Sequence, residues 1–236
     1  MRDMTNTLLL RADRESHPLM QPGTGDKVTL IVVTSDRGLC GGFNANLSNE
    51  TMRLIREDFA GTPVELIVLG RKGIEILRRR ACTIKSSYTG ASDKTPINLA
   101  TRVVDEAVAA FTDGGSKEVY CLYNEFKSAM SQKLTLERLL PYEPPEDTDV
   151  AAHDFIFEPS EESILLSLLV NNIHVQLFRI LQESAASEQG ARMAAMDLAT
   201  QNAGDVIARL TLNYNRVRQD AITKEIIEVV SAAGAV

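Results

Sequence analysis

Residues 161–233 read EESILLSLLVNNIHVQLFRILQESAASEQGARMAAMDLATQNAGDVIARLTLNYNRVRQDAITKEIIEVVSAA. The stretch holds no proline and two glycines, Gly190 and Gly204. Leu, Ala, Glu, Gln, Met and Arg dominate it, and these residues lose least on entering a helix. A single helix of roughly 70 residues is on the order of 105 Å long, about three times the width of a small domain. Most of such a rod cannot lie on the core of its own chain.

Within it, Met193, Met196, Thr200, Ala203, Ile207, Leu210, Tyr214, Val217 and Ala221 recur at alternating spacings of three and four. That is a heptad seam, and it calls for a left-handed supercoil with another helix. Upstream, Leu166, Leu169, Ile173, Leu177 and Ile180 continue a similar stripe. Beyond Ala221 the seam drifts to Ile222, Ile226, Val229 and Val230, while Arg192, Asp205, Arg209, Arg216, Arg218 and Asp220 lie between the stripes. Gly190 disfavours helix by about 1 kcal/mol against Ala and marks a weak point. Two readings stand side by side. In one, the stretch folds back as a hairpin or breaks into two core helices near Gly190. In the other, it is a shaft that leaves its own domain and packs on something else.

The chain has 236 residues and can bury a real core. Its net charge of −7 argues against wholesale nucleic-acid binding. No apolar run approaches the roughly 20 residues that span a bilayer. The first residues lack a signal-peptide core, which places the chain in the cytosol or on the cytosolic side of a membrane. Cys40, Cys82 and Cys121 fit no zinc spacing and read as buried reduced thiols. His17, His153 and His174 have no partner at ligand spacing, so no metal site is expected.

Upstream of residue 161 the elements alternate. Met1–Leu10 reads as a short helical piece and residues 12–27 as a loop. Val28–Val33 is a run β-branched at every position but Leu30, the pattern of a strand buried on both faces. The loop from Asp36 to Asn44 leads into a helix over Ala45–Phe59. Strand Val64–Leu69 follows, then a turn over Gly70–Gly73 and a short helix over Ile74–Arg80. Thr83–Ser87 is a short strand, Ile97–Phe111 an amphipathic helix, and Glu118–Tyr123 and Lys133–Leu140 are strands. Pro141–Val150 is an acidic, proline-rich loop, and Phe155–Phe157 adds a small edge strand. This succession predicts a Rossmann-like layered α/β domain with crossover helices. Three regions follow: residues 1–26, an α/β domain over 27–160, and the long helix over 161–236.

The glycine loop Asp36, Arg37, Gly38, Cys40, Gly41, Gly42 follows a strand and opens a helix, where phosphates bind in nucleotide folds. Its spacing matches neither G-x-G-x-x-G nor a P-loop. Its glycines read equally as residues supplying positive φ or close packing at a tight turn. Cys40 near a helix N-terminus is a candidate thiolate without a nearby base. The adjacent carboxylates Asp105 and Glu106, like Glu161 and Glu162, diverge around a helix. The basic run Arg78, Arg79, Arg80, with Arg71 and Lys72, reads as surface or as a contact patch for an acidic partner or lipid head groups. No catalytic constellation emerges.

Two motifs carry a resemblance. Thr34-Ser35-Asp36-Arg37-Gly38-Leu39-Cys40-Gly41-Gly42-Phe43-Asn44 resembles the strand–loop–helix signature of the γ subunit of F-type ATP synthases. Ala191-Arg192-Met193-Ala194-Ala195-Met196-Asp197, Asn202-Ala203-Gly204, Leu212–Gln219 and Ile222–Glu228 are similar to its C-terminal helix. The resemblance covers nearly the whole chain. It implies a non-catalytic rotor shaft with no cofactor, whose α/β domain sits near the membrane ring of proton-carrying subunits and the ε subunit. The shaft coiled coil would stand inside a ring of α and β subunits, peripheral to the cytoplasmic face of an energy-transducing membrane and not inserted in it. Arg218, Gln219, Thr223, Glu225 and Glu228 fall where the family's shaft contacts the β subunits. Ala232 stands where the family usually has Gly. The family's long N-terminal helix has no counterpart before Val28, which leaves open a fragment, a misplaced start or a variant with its partner helix elsewhere. Alone, such a chain is expected to self-associate through its apolar stripe. A small phosphate- or nucleotide-binding α/β protein using Gly38–Gly42 is the alternative.

Overall fold

A computed structural model of the chain describes residues 18–90, 96–129, 131–143 and 161–233. The helical piece expected at Met1–Leu10, the edge strand at Phe155–Phe157, most of the loop at Pro141–Val150 and the Leu166 side chain lie outside the described residues. After a 3-10 turn at Pro18–Met20 the order is β1 (Lys27–Val33), α1 (Phe43–Arg56), β2 (Val64–Leu69), α2 (Arg71–Arg79), β3 (Ile84–Tyr88), α3 (Ile97–Thr112), β4 (Ser116–Ser128), β5 (Ser131–Leu140) and α4 (Glu161–Ala233).

The strands form one sheet in the order β3-β2-β1-β4-β5. β1 pairs in parallel with β2, from Val28↔Val64 to Val33↔Leu69, and in parallel with β4 on its other side. β2 and β3 are parallel, and β5 closes the far edge antiparallel to β4. The apolar run of β1 follows from its central position. Ile31 and Val33 face one core with Ile67, Leu69, Val104 and Phe111. Leu30 and Val32 face the other with Leu47, Leu54, Leu66 and Leu77. Successive side chains alternate faces, and helices cover both, so the run is apolar but for Thr29, whose buried hydroxyl pairs with Ser116 at 2.6 Å. α1 and α2 pack on one face, and α3 on the other, as right-handed crossovers in two directions require.

The expected elements appear with shifted ends. α1 starts at Phe43 rather than Ala45. α2 starts at Arg71, so Gly73 is not a turn residue but lies inside the helix. A Cβ at Gly73 would sit 2.4 Å from Thr34 Oγ1, and the Gly73 N–H donates to that same oxygen at 3.0 Å. Close approach to the end of β1, not chain reversal, selects this glycine. β4 runs well past Tyr123, because Asn124, Glu125 and Phe126 continue to pair with Leu134, Lys133 and Gln132. Polar ladder positions carry no hydrophobic alternation, and their pairing is invisible in a single strand's sequence.

α4 is one helix of 73 residues, unbroken at Gly190. This overturns both the hairpin and the broken-helix readings. The chain divides into two compact units, Met1–Met193 and Ala194–Val236, and the division falls inside α4. In the first unit, Leu169, Ile173, Leu177, Ile180 and Leu181 are buried in the core shared with α3, β4 and β5. Each contributes about 1.5–3 kcal/mol of gross transfer free energy. In the second unit, every described side chain from Met196 to Ser231 is exposed.

Candidate functional site

The seam expected along Met193, Met196, Ala203, Ile207, Leu210, Tyr214, Val217 and Ala221 lies on continuous helix, and these residues are exposed. Leu210 is 58% accessible and Tyr214 66%, so no side chain of the described residues covers them. Thr200, within the seam, turns its hydroxyl to the Met196 carbonyl at 2.9 Å.

Large apolar side chains also occur off this line. Leu198 and Leu212 are exposed, and at 100° per residue they fall on the side of the helix away from Leu210. The heptad reading missed them because it scored a single stripe. Two apolar sides exceed what one partner helix can cover.

Arg218, Gln219, Thr223, Glu225 and Glu228 are all exposed on the same helix. They do not share one face. Arg218 and Glu225 are two helical turns apart on one side, and Gln219 and Thr223, one turn apart, occupy another. Glu228 lies two turns beyond Ala221, in line with the seam. Polar groups therefore surround this part of the rod.

The glycine loop is a closed hydrogen-bonded structure. Asp36 accepts from the Arg71 N–H at 3.1 Å and the Gly90 N–H at 3.0 Å, which ties the loop to the start of α2. Asn44, in the first turn of α1, accepts from the Ser35 N–H at 3.0 Å and donates to Ser35 Oγ at 2.7 Å and Cys40 Sγ at 3.3 Å. Cys40 is buried and serves as an acceptor inside this network. Positive φ occurs at Gly41 (57°) and Leu39 (63°), whereas Gly42 sits at −80°. Of the three expected loop glycines, only Gly41 needs its conformational freedom.

In doubly wound sheets a ligand enters at the carboxyl ends of the two strands where the order reverses. Here those are β1 and β4, and α4 occupies that place. Arg192 Nη2 donates to the Gly38 carbonyl, after β1, at 3.4 Å. Gly190 faces the Ala129 backbone, after β4, where an added Cβ would lie 3.1 Å from Cα. Asp36, Asn44 and the Gly38 carbonyl are engaged by the fold, and α4 fills the crevice, so the geometry gives the nucleotide reading no support. A shallow cleft of about 490 Å³ opens elsewhere, lined by Asn49, Met52, Arg53, Arg56, Glu57 and Arg80.

The remaining candidates are spread through the fold. Burial pushes the Cys121 thiol well up and the Cys82 thiol up. His174 pairs with Asp105 at 3.2 Å, while neighbouring Glu106 accepts from Tyr88 at 2.6 Å and Ser86 at 2.9 Å, so the adjacent carboxylates do diverge. Arg71 donates to the Asp36 carbonyl, Lys72 pairs with Glu75, and Arg80 reaches Asn49 at 2.7 Å. Arg78 and Arg79 are exposed in the last turn of α2, where cations complement the helix dipole. Among the described residues no three His, Cys, Asp or Glu side chains converge as metal ligands, and no helix is long and apolar enough to cross a membrane.

The family model described as ATP synthase matches residues 1–236. The ATP synthase gamma chain of Geotalea daltonii is 46% identical over 223 residues, covering 94% of this chain and 77% of the relative. That of Chlorobaculum parvum is 40% identical over 241 residues, covering 100% of this chain and 82% of the relative. This chain belongs to the ATP synthase gamma-chain family. Among solved structures, the central stalk and c-ring of Tetrahymena thermophila mitochondrial ATP synthase matches with a TM-score of 0.62 at 25% identity, covering 74% of this chain and 77% of that one. A chain of the Euglena gracilis mitochondrial ATP synthase shares the fold, with a TM-score of 0.70 at 18% identity over 89% of this chain and 73% of that one. As a gamma chain the protein is a non-catalytic, peripheral rotor-shaft subunit that couples proton flow to ATP synthesis.

Proposed function

We propose that α4 beyond Ala194 is gripped from several sides at once: a second helix on the heptad seam, and a surrounding ring of α and β subunits on the rest. The observation that carries this reading is the exposure of apolar residues on two sides of one uninterrupted helix. In water such a surface associates, and a two-stranded coil leaves Leu198 and Leu212 uncovered. Residues 27–160, with the buried first half of α4, form the foot. It meets the ε subunit and the c-ring at the cytoplasmic face of an energy-transducing membrane. The similarity to the Tetrahymena assembly of central stalk and c-ring supports that placement.

Arg218, Gln219, Thr223, Glu225 and Glu228 are the groups through which the shaft addresses the β subunits in turn. A rotor does work on its surroundings only if its contact energies differ between angular states. Charged and hydroxyl groups pointing in several directions from a rigid rod satisfy that condition, since each forms a directional bond at one angle and loses it at another. A charge-assisted hydrogen bond contributes about 1.5–3 kcal/mol, enough to change the step it serves by roughly tenfold or more.

The test is the reconstituted complex in membrane vesicles carrying R218A or E225A. ATP-driven proton pumping should fall further than ATP hydrolysis in both variants. A pumping-to-hydrolysis ratio equal to the parent's, in complexes that assemble fully, would remove these residues from the coupling contact.

A further inference from the structure

The last turn of α4 inside the first unit adds a close backbone approach to the side-chain packing of the turns before it. From Leu169 to Leu181 the contact is an apolar core seat, edged by hydrogen bonds from Asn172 to Tyr142, between His174 and Asp105, and from Arg179 to Glu137. At residues 188–192 it becomes steric and polar. Gly190 lies against Ala129, where an added Cβ would meet Cα at 3.1 Å and the carbonyl oxygen at 3.2 Å. Both atoms are backbone, so making room means shifting the chain rather than rotating a side chain. Rotating the helix by one residue would bring the Gln189 or Ala191 side chain against that backbone, which would have to give way.

Arg192 completes the contact from the other side. Its Nη2 donates to Glu188 Oε1 at 2.5 Å and to the Gly38 carbonyl at 3.4 Å, and its Nη1 donates to Gln189 Oε1 at 3.0 Å. The Glu188 side chain is 3% exposed and that of Arg192 22%, so water competes little for the pair. Ala191 packs against the core beneath α1 and α2. The turn is thus held between the loops that follow two neighbouring strands, β1 and β4.

We infer that the turn Glu188–Arg192 is a torque clamp, by which the α/β unit grips α4 against rotation about its own axis. This rests on the helix beyond Ala194 serving as the shaft. Gly190 is the steric key, Arg192 the polar latch, and Glu188 the group that orients the latch. All three are positioning residues, since none touches substrate.

The experiment uses whole ATP synthase with a rotation probe attached through K85C, at an exposed position of edge strand β3, while the catalytic ring is held. The width of the probe's angular fluctuation reads torsional stiffness. R192A and E188A should widen it. E188Q, which still accepts from Arg192, should stay near the parent, a pattern that loss of fold stability alone would not produce. R192K keeps a cation but cannot span Glu188, Gln189 and Gly38 together, and should fall between. If R192A fails to assemble, R192K carries the test. A parental angular width in R192A, or in R192K where R192A does not assemble, overturns the clamp. Parental stiffness in R192A with coupling lost in R218A would remove the clamp and leave the shaft standing.

Discussion

Gly190 and Gly204 stand on the same helix, and what surrounds each gives it an opposite meaning. Gly190 meets backbone at Ala129, whereas nothing lies within 4 Å of a Cβ at Gly204. In the isolated chain, G204A should therefore stabilise helix by up to about 1 kcal/mol, the ordinary Gly-to-Ala difference. G190L should lower the melting temperature despite its better helix propensity, because a branched side chain must displace the turn between β4 and β5. Thermal unfolding followed by circular dichroism separates the two. A gain of stability in G190L would show that Ala129 yields, and that the close approach is not what selects glycine there.

Among the elements, α4 combines a core helix and an exposed rod without a break. Leu177 is fully buried and Leu210 is open. L177A should cost about 2–5 kcal/mol in denaturant unfolding of the isolated chain, and L210A within about 0.5 kcal/mol of nothing. The shorter helix α1 gives a pH-dependent test. Glu50 accepts from Arg53, at 2.7 Å to Nη2, and that hydrogen bond holds its carboxyl below the usual glutamate range. A depressed carboxylate contributes stability above its unfolded pKa and loses it as pH falls through the folded one. E50Q should thus destabilise by up to about 1 kcal/mol near neutrality, and the difference should close below the ordinary glutamate value of about 4.3. A constant difference across the acid range would mean that Glu50 acts through packing rather than charge.

For the molecule as a whole, the exposed seam decides behaviour in solution. Ile207, Leu210, Tyr214 and Val217 present a continuous apolar line with no cover among the described residues. The isolated chain should self-associate at tens of micromolar, and the double variant I207D/L210D should shift it toward monomer while leaving the α/β unit folded. Light scattering with circular dichroism checks both. A monodisperse parent chain would show that this surface is less sticky than its area suggests.

Much was legible in the residues alone. The β-branched run at Val28–Val33, the helical periods, the heptad line on α4 and the diverging Asp105 and Glu106 could all be read locally. Periodicity reports which side of an element must be covered, and local φ/ψ preference reports its type. The glycine loop stands out in the residues, but its working parts do not: Leu39 shares the left-handed conformation with Gly41, and Gly38 serves through its carbonyl. No local signal could have revealed that, because the partner, Arg192, lies far along the chain.

Tertiary structure alone decided the strand order, the length of the β4–β5 hairpin, the role of Gly73 as a packing contact and of Gly190 as a close approach. It also decided how far burial extends along α4. Leu169, Ile173, Leu177 and Ile180 look like Met196, Ile207 and Leu210 in sequence, yet the first set is buried and the second exposed. An amphipathic pattern states that a face needs a partner. Whether that partner is the chain's own sheet or another subunit depends on which surfaces the rest of the fold brings within reach.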